Sequence, residues 1–99
     1  MKPVVFHPEA EDELRAGIAY YDGQRPGLGA EFRDEVEAAT IRIAQSPQAC
    51  PTYGDQGLRK CVLPRFPYTL FYLELDEIIW VAAVAHQRRR PGYWKGRQP

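Results

Sequence analysis

Eight consecutive apolar residues, Ile78 to Ala85, form the longest uninterrupted hydrophobic run in the chain. A run with no polar face predicts a strand covered on both sides. Just before it, Tyr68 to Leu75 is built from bulky β-formers, and Asp76-Glu77 between the two runs predicts a tight two-residue hairpin. Leu58 to Leu63 reads as a further strand, with Arg59 and Cys61 on one face and Leu58, Lys60 and Val62 on the other. Val4-Val5-Phe6 is β-prone but short, so it needs a later strand as its partner.

Two stretches follow the helical period instead. Ala10, Leu14, Ile18 and Tyr21 recur at spacings of four, four and three, which marks one apolar face. Pro8 suits the first helical position, and Glu9, Glu11, Asp12 and Glu13 favour the positive end of the helix dipole. Asp22 to Gly27 stops this helix. The second helix runs from Leu28 to Gln45 on Leu28, Phe32, Val36, Ala39 and Ile43, and Pro47 ends it by disfavouring helical backbone at Ser46. Residues 47–57 have the composition of a loop. The expected fold is therefore α+β: a small antiparallel-rich sheet in the order β-α-α-β-β-β, with an N-terminal αα-hairpin packed on it.

Ninety-nine residues suit one domain spanning 1–99. The apolar fraction of 44% and charged fraction of 26% are ordinary for a globular chain and argue against disorder. Net charge is zero but unevenly spread, since residues 1–50 carry nine acids against five bases and residues 51–99 four against eight. That asymmetry points to an anionic partner for the second half. Cys50 and Cys61, with no signal peptide and no Cys-x-x-Cys, read as free thiols of a reducing cytoplasm. No apolar run approaches the roughly 20 residues that span a bilayer, so no membrane association is expected.

Candidate chemistry concentrates where the apolar run ends, in His86-Gln87-Arg88-Arg89-Arg90 followed by Pro91-Gly92-Tyr93-Trp94. Arginine forks suit phosphate or carboxylate, aromatics can stack on bases, and a histidine can move protons near neutral pH. Arg59, Lys60 and Arg65 form a second basic group, which also fits the protection of an edge strand. His7 reads as a capping or packing residue. The helix acids read as a solvated face, because no set of metal-ligand spacing is present. Gly27-Leu28-Gly29 lacks the strand and lysine of a phosphate loop, and neither a cofactor nor a metal is expected.

Taken in order, several short motifs combine. They are Ala10-x-x-Glu13-Leu14, Tyr20-Tyr21, Gly27-Leu28-Gly29-x-x-Phe32-x-x-Glu35-Val36, Ser46-Pro47 and Arg59-Lys60. Phe66-Pro67-Tyr68, Phe71-Tyr72 and Val84-Ala85-His86-x-x-Arg89-x-Pro91-x-Tyr93-Trp94 complete the set. Over essentially its whole length the chain thus resembles the ParE branch of the RelE/ParE toxin superfamily. The resemblance implies the toxin of a bacterial type II toxin–antitoxin module, of the kind associated with plasmid stabilisation. Its neighbour would be a ParD-like or similar antitoxin that covers residues 86–94 or the helical hairpin, with Leu14, Ile18, Tyr21 and Phe32 as contacts.

Two activities are implied by different members. ParE-like toxins bind and poison DNA gyrase, for which Arg59, Arg65, His86, Arg88, Arg89, Tyr93 and Trp94 are the candidate contacts. RelE-like toxins cut mRNA on the ribosome, for which the candidates are Lys60, His86, Arg88 and Tyr93. Departures from the nuclease pattern fall at Thr69, where nuclease members place an arginine, and at Val62, where they place a lysine. Each lost cation removes several kcal/mol of transition-state stabilisation if it acts like a preorganised donor worth about 2.7–4 kcal/mol. The gyrase reading therefore ranks first, the nuclease second and an inactive binding module third.

Overall fold

The computed structural model describes residues 1–99. The elements are β1 (Val4–Phe6), α1 (Pro8–Gln24), α2 (Leu28–Gln45), β2 (Arg59–Val62), β3 (Tyr68–Glu74) and β4 (Ile79–His86). Their order is the predicted β-α-α-β-β-β. The four strands form one sheet in the order β1-β4-β3-β2. β2, β3 and β4 pair antiparallel, whereas β1 lies parallel to β4 with Val5 opposite Trp80. The hairpin closes about Asp76-Glu77, where Leu75 N–H donates to Ile78 O at 2.8 Å. α1 runs two residues past the expected stop at Asp22. Gly23 alone does not end it, and the chain leaves helical geometry only at Arg25 ahead of Pro26. His7 caps α1, its Nδ1 accepting from Glu9 N–H at 3.0 Å.

The helices cover one face of the sheet. Phe32, Val36, Ala39 and Ile43 of α2 and Ala10 of α1 pack on Leu70, Tyr72, Ile79, Val81 and Val84. Tyr21, Phe32, Phe66 and Tyr68 add a ring cluster at one end, with Phe32 and Tyr68 centroids 4.7 Å apart. The other face carries a smaller core of Phe71, Trp80, Ala82, Ala83, Ala85 and Trp94. This second layer explains why β4 has no polar face: all seven residues from Ile79 to Ala85 are buried. What covers that side is irregular backbone, namely the loop through Tyr53 and Leu58 and the C-terminal tail with Tyr93 and Trp94.

Strict alternation along β4 is broken once. Phe71 faces Ala83 while Tyr72 faces Val81, which leaves Ala82 as the extra residue of a bulge. Ala82 and Ala83 consequently both join the second layer, and Val84 returns to the helix side.

The helical hairpin is held very close at its base. Gly29 N–H donates to Asp22 Oδ1 at 2.9 Å. A Cβ on Gly29 would stand 2.4 Å from Ile18 O, a backbone atom that cannot swing away. We expect Gly29→Ala to cost about 1–3 kcal/mol by forcing the helices apart, read as a lower urea midpoint. An unchanged midpoint would show that the hairpin base yields freely.

Candidate functional site

The end of β4, the neighbouring strands and the C-terminal tail enclose a hollow of about 210 Å³. Lys60, Thr69, His86, Arg89, Tyr93 and Trp94 are among its walls. β-sheet register brings the first three together: Lys60 lies opposite Phe71, and β3 then presents Thr69 opposite Ala85 and Tyr68 opposite His86. The His86 ring stands edge-on to Tyr68 with centroids 5.0 Å apart, and its Nδ1 accepts from Arg88 N–H at 3.0 Å. The chain leaves the sheet there in a turn at Gln87 and Arg88. Lys60 Nζ lies 5.9 Å from the ring centre of Tyr53, which also lines the hollow.

The tail is fixed by one carboxylate. Glu13 of α1 accepts Tyr93 OH at 2.7 Å, and its two oxygens take Arg97 Nη1 at 3.1 Å and Nη2 at 2.9 Å. Val84 N–H donates to the same group at 2.9 Å, and Arg97 Nη1 also donates to Ala82 O at 2.9 Å. The reason lies in the sheet. β1 ends at Phe6, so β4 beyond Val81 has no strand on that side, and its backbone groups need other partners. Glu13 and Arg97 supply them, with side chains only 12% and 9% exposed.

Arg89 completes this arrangement, with its guanidinium 3.8 Å from the Tyr93 ring centre and 3.9 Å from Glu13 Oε2. Arg88 and Arg90 are different. Both are exposed and belong to none of the ion pairs of the chain.

The structure sorts the predicted residues accordingly. Lys60, His86, Arg89, Tyr93 and Trp94 share the hollow, and Arg88 projects beside it. Trp94 is no surface contact: it is 4% exposed and stacks on Phe71 with centroids 4.0 Å apart. Arg59 is not available either, because it reaches over the edge of β2 to Cys50 O at 2.8 Å and Gln48 O at 3.3 Å. Arg65 sits in the β2–β3 turn against α2, paired with Glu31 at 2.9 Å, and does not line the hollow. Among the proposed antitoxin contacts, Phe32 is fully buried between α2 and the sheet. Leu14, Ile18 and Tyr21 are half-buried, and Leu14 lines a separate groove of about 190 Å³ with Phe6, Val36 and Thr40.

Glu13 and Arg97 were missed among the site residues, and Glu13 corrects the reading of the helix acids as a uniformly solvated face. A signal existed, since Glu13 stands three residues after Ala10 and four before Gly17, both buried, which puts a carboxylate on the inward stripe.

Burial first, and then the Glu13 carboxylate, push the Tyr93 hydroxyl well above its ordinary pKa of 10.0. A raised folded-state value means this contribution is complete below about pH 10 and is lost as pH rises through the folded value. We expect stability to fall above about pH 10 and to fall less steeply in Tyr93→Phe. The check is urea unfolding at a series of alkaline pH values. Identical slopes for the two proteins would mean that the hydroxyl ionises freely.

Comparison with known proteins gives a consistent answer. Residues 4–91 match the family model described as the ParE toxin of the type II toxin–antitoxin system parDE. No significant match is found among curated protein sequences. Among solved structures, a chain of the chromosomal ParDE toxin–antitoxin system from P. aeruginosa superposes with a TM-score of 0.77 at 16% identity, covering 87% of this chain and 96% of that one. The isolated E. coli RelE toxin gives 0.67 at 22% identity, with 96% and 94% covered. A double-arginine mutant of E. coli RelE in complex with an antitoxin RelBc peptide gives 0.66 at 20% identity, with 98% and 95% covered.

Proposed function

Because this chain belongs to the ParE toxin family of type II toxin–antitoxin systems, we propose that it stops growth by gripping a protein target, DNA gyrase, and not by cutting nucleic acid. The observation that carries this reading is the lining of the hollow. Two of its positions are Val62 and Thr69, which offer no charge to a phosphate. Tyr93 donates its hydroxyl to Glu13, and Arg89 lies over the Tyr93 ring. The groups that a nuclease would need for proton transfer and charge stabilisation are thus partly replaced and partly spent on holding the tail. Arg88 and Arg90 remain as unpaired cations on the turn that follows β4, suited to carboxylates of a macromolecule.

The test uses purified chain in two assays. Gyrase supercoiling should be inhibited, while mRNA on ribosomes should stay intact. Cut mRNA with unaffected supercoiling would reverse the assignment to the RelE-like nuclease. Normal growth on induction without antitoxin would retire both toxic readings for this particular chain.

A type II toxin has an antitoxin as its partner, and we place its acidic, amphipathic tail over the groove beside Leu14 or over residues 86–94. The apolar walls of Phe6, Leu14 and Val36, beside the charged Arg33 and Glu37, support an amphipathic helix there. A complex that left both surfaces bare would remove this placement.

Arg88→Ala isolates the target contact. Its side chain is exposed, so the substitution should change stability by less than about 0.5 kcal/mol. Loss of growth inhibition at unchanged urea midpoint is the expected result. Arg89→Ala is a poorer probe, because Arg89 also packs on Tyr93. Full toxicity in an Arg88→Ala/Arg90→Ala double variant would remove these two residues from the target contact.

A further inference from the structure

The outer edge of β2 is covered by residues of the preceding loop. Thr52 bridges Arg59 in antiparallel register, Lys60 N–H donates to Pro51 O at 3.0 Å, and Tyr53 N–H donates to Leu58 O at 2.7 Å. Extending that register by one step sets Cys50 opposite Cys61. Since Lys60 and Pro51 form the hydrogen-bonded pair, the cysteines occupy the closer, non-hydrogen-bonded position, where Cα atoms are about 4.5 Å apart. A disulfide spans roughly 4.4–6.8 Å between Cα atoms, so this register gives the spacing that a bridge needs. Both side chains point to the helix face: Cys61 lies in the main core and Cys50 packs against it. Both are free thiols, Cys50 half-buried and Cys61 buried. Burial first and then Cys50 push the Cys61 thiol up.

We propose that Cys50 and Cys61 form a reversible disulfide site that is closed by a small-molecule disulfide of the oxidised-glutathione class. Cys50, the more accessible, reacts first. Its thiolate attacks one sulfur of the oxidant, the oxidant's S–S bond breaks, and one thiol leaves with a proton from solvent. Cys61, having given up its proton, then attacks the Cys50 sulfur and expels the second thiol. The two cysteines lose two electrons and two protons, and the oxidant disulfide is reduced to two thiols.

The closed ring runs from residue 50 to residue 61 and contains Tyr53. That ring system stacks edge-on against Phe71 with centroids 5.0 Å apart and forms one wall of the hollow. Oxidation therefore fastens that wall to β2. The inference goes beyond the toxin assignment and holds whichever target the chain binds.

The experiment is incubation of the purified full-length chain with millimolar oxidised glutathione. The expected product is a monomer lighter by two hydrogens, whose non-reducing tryptic map joins the Cys50 peptide to the Cys61 peptide and separates them after dithiothreitol. Cys50→Ser should give none of this product. Hydrogen exchange on the oxidised wild-type chain supplies a readout that needs no variant: the Tyr53 and Lys60 amides should exchange several-fold more slowly. A persistent glutathione adduct, a disulfide-linked dimer, an unchanged mass, or unaltered exchange at those amides would each overturn the proposal.

Discussion

Glu13→Ala is expected to destabilise this chain by about 3–5 kcal/mol, the range for removing one partner of a buried ion pair. The carboxylate serves Tyr93, Arg97 and the Val84 amide at once. Without it, the Arg97 guanidinium, 9% exposed, keeps its charge but is left with Glu9 at 3.7 Å, the Ala82 carbonyl and the Tyr93 ring at 5.2 Å. Val84 N–H loses its acceptor as well, a further penalty of about 1–3 kcal/mol if water does not replace it. A set of urea curves on Glu13→Ala, Arg97→Ala and the double variant measures the coupling. Since both residues act on one network, the double variant should be milder than the sum by about 0.5–3 kcal/mol. Strict additivity would mean that the two residues stabilise the fold independently. Trypsin should also cut at Lys95 and Arg97 faster in Glu13→Ala, and toxicity should drop although Arg88 is untouched.

Trp94→Ala is the second large effect, at about 3–5 kcal/mol for emptying a buried aromatic site. Its ring is stacked on Phe71 with planes 24° apart, stands edge-on to Tyr93 at 5.1 Å and closes the second hydrophobic layer. One feature separates packing from polarity here. Trp94 Nε1 is buried and donates to nothing. Trp94→Phe keeps a ring to stack on Phe71 and removes that orphan donor, so it should cost clearly less than Trp94→Ala. Guanidinium unfolding of the two variants decides the matter. Equal damage from phenylalanine and alanine would mean that the ring stacked on Phe71 is not what holds this site. The same pair bears on function, since retained toxicity in Trp94→Phe is expected of a residue that packs inward and touches no target.

Much of the architecture was legible because it depends on local periodicity. The spacing of Leu28, Phe32, Val36, Ala39 and Ile43 bounded α2 to the residues observed, Leu28–Gln45. Asp76-Glu77 marked the hairpin because two bulky β-runs flank it at the shortest workable separation. The unbroken apolar run also announced that β4 is covered twice. What it left open was the identity of the second cover, which is a tail and a loop with no periodic pattern to read. The bulge at Ala82 was hidden for a related reason: in a run of apolar residues, a one-residue slip leaves no trace in polarity.

Site residues divide along the same line. Sequence alone determined the elements, their order, the family resemblance and the cationic stretch after β4, since each rests on neighbours within a few positions. Only the tertiary structure decided which cations are spent and which are available. Glu13 meets Tyr93 across 80 positions and Arg97 across 84, and those bonds turn part of the basic tip into a fastening for the tail. Arg88 and Arg90, on the same turn, are exposed and reach no carboxylate within ion-pair distance. A charged side chain is steered by whichever counter-charge lies closest in space, and spacing along the chain does not encode that distance.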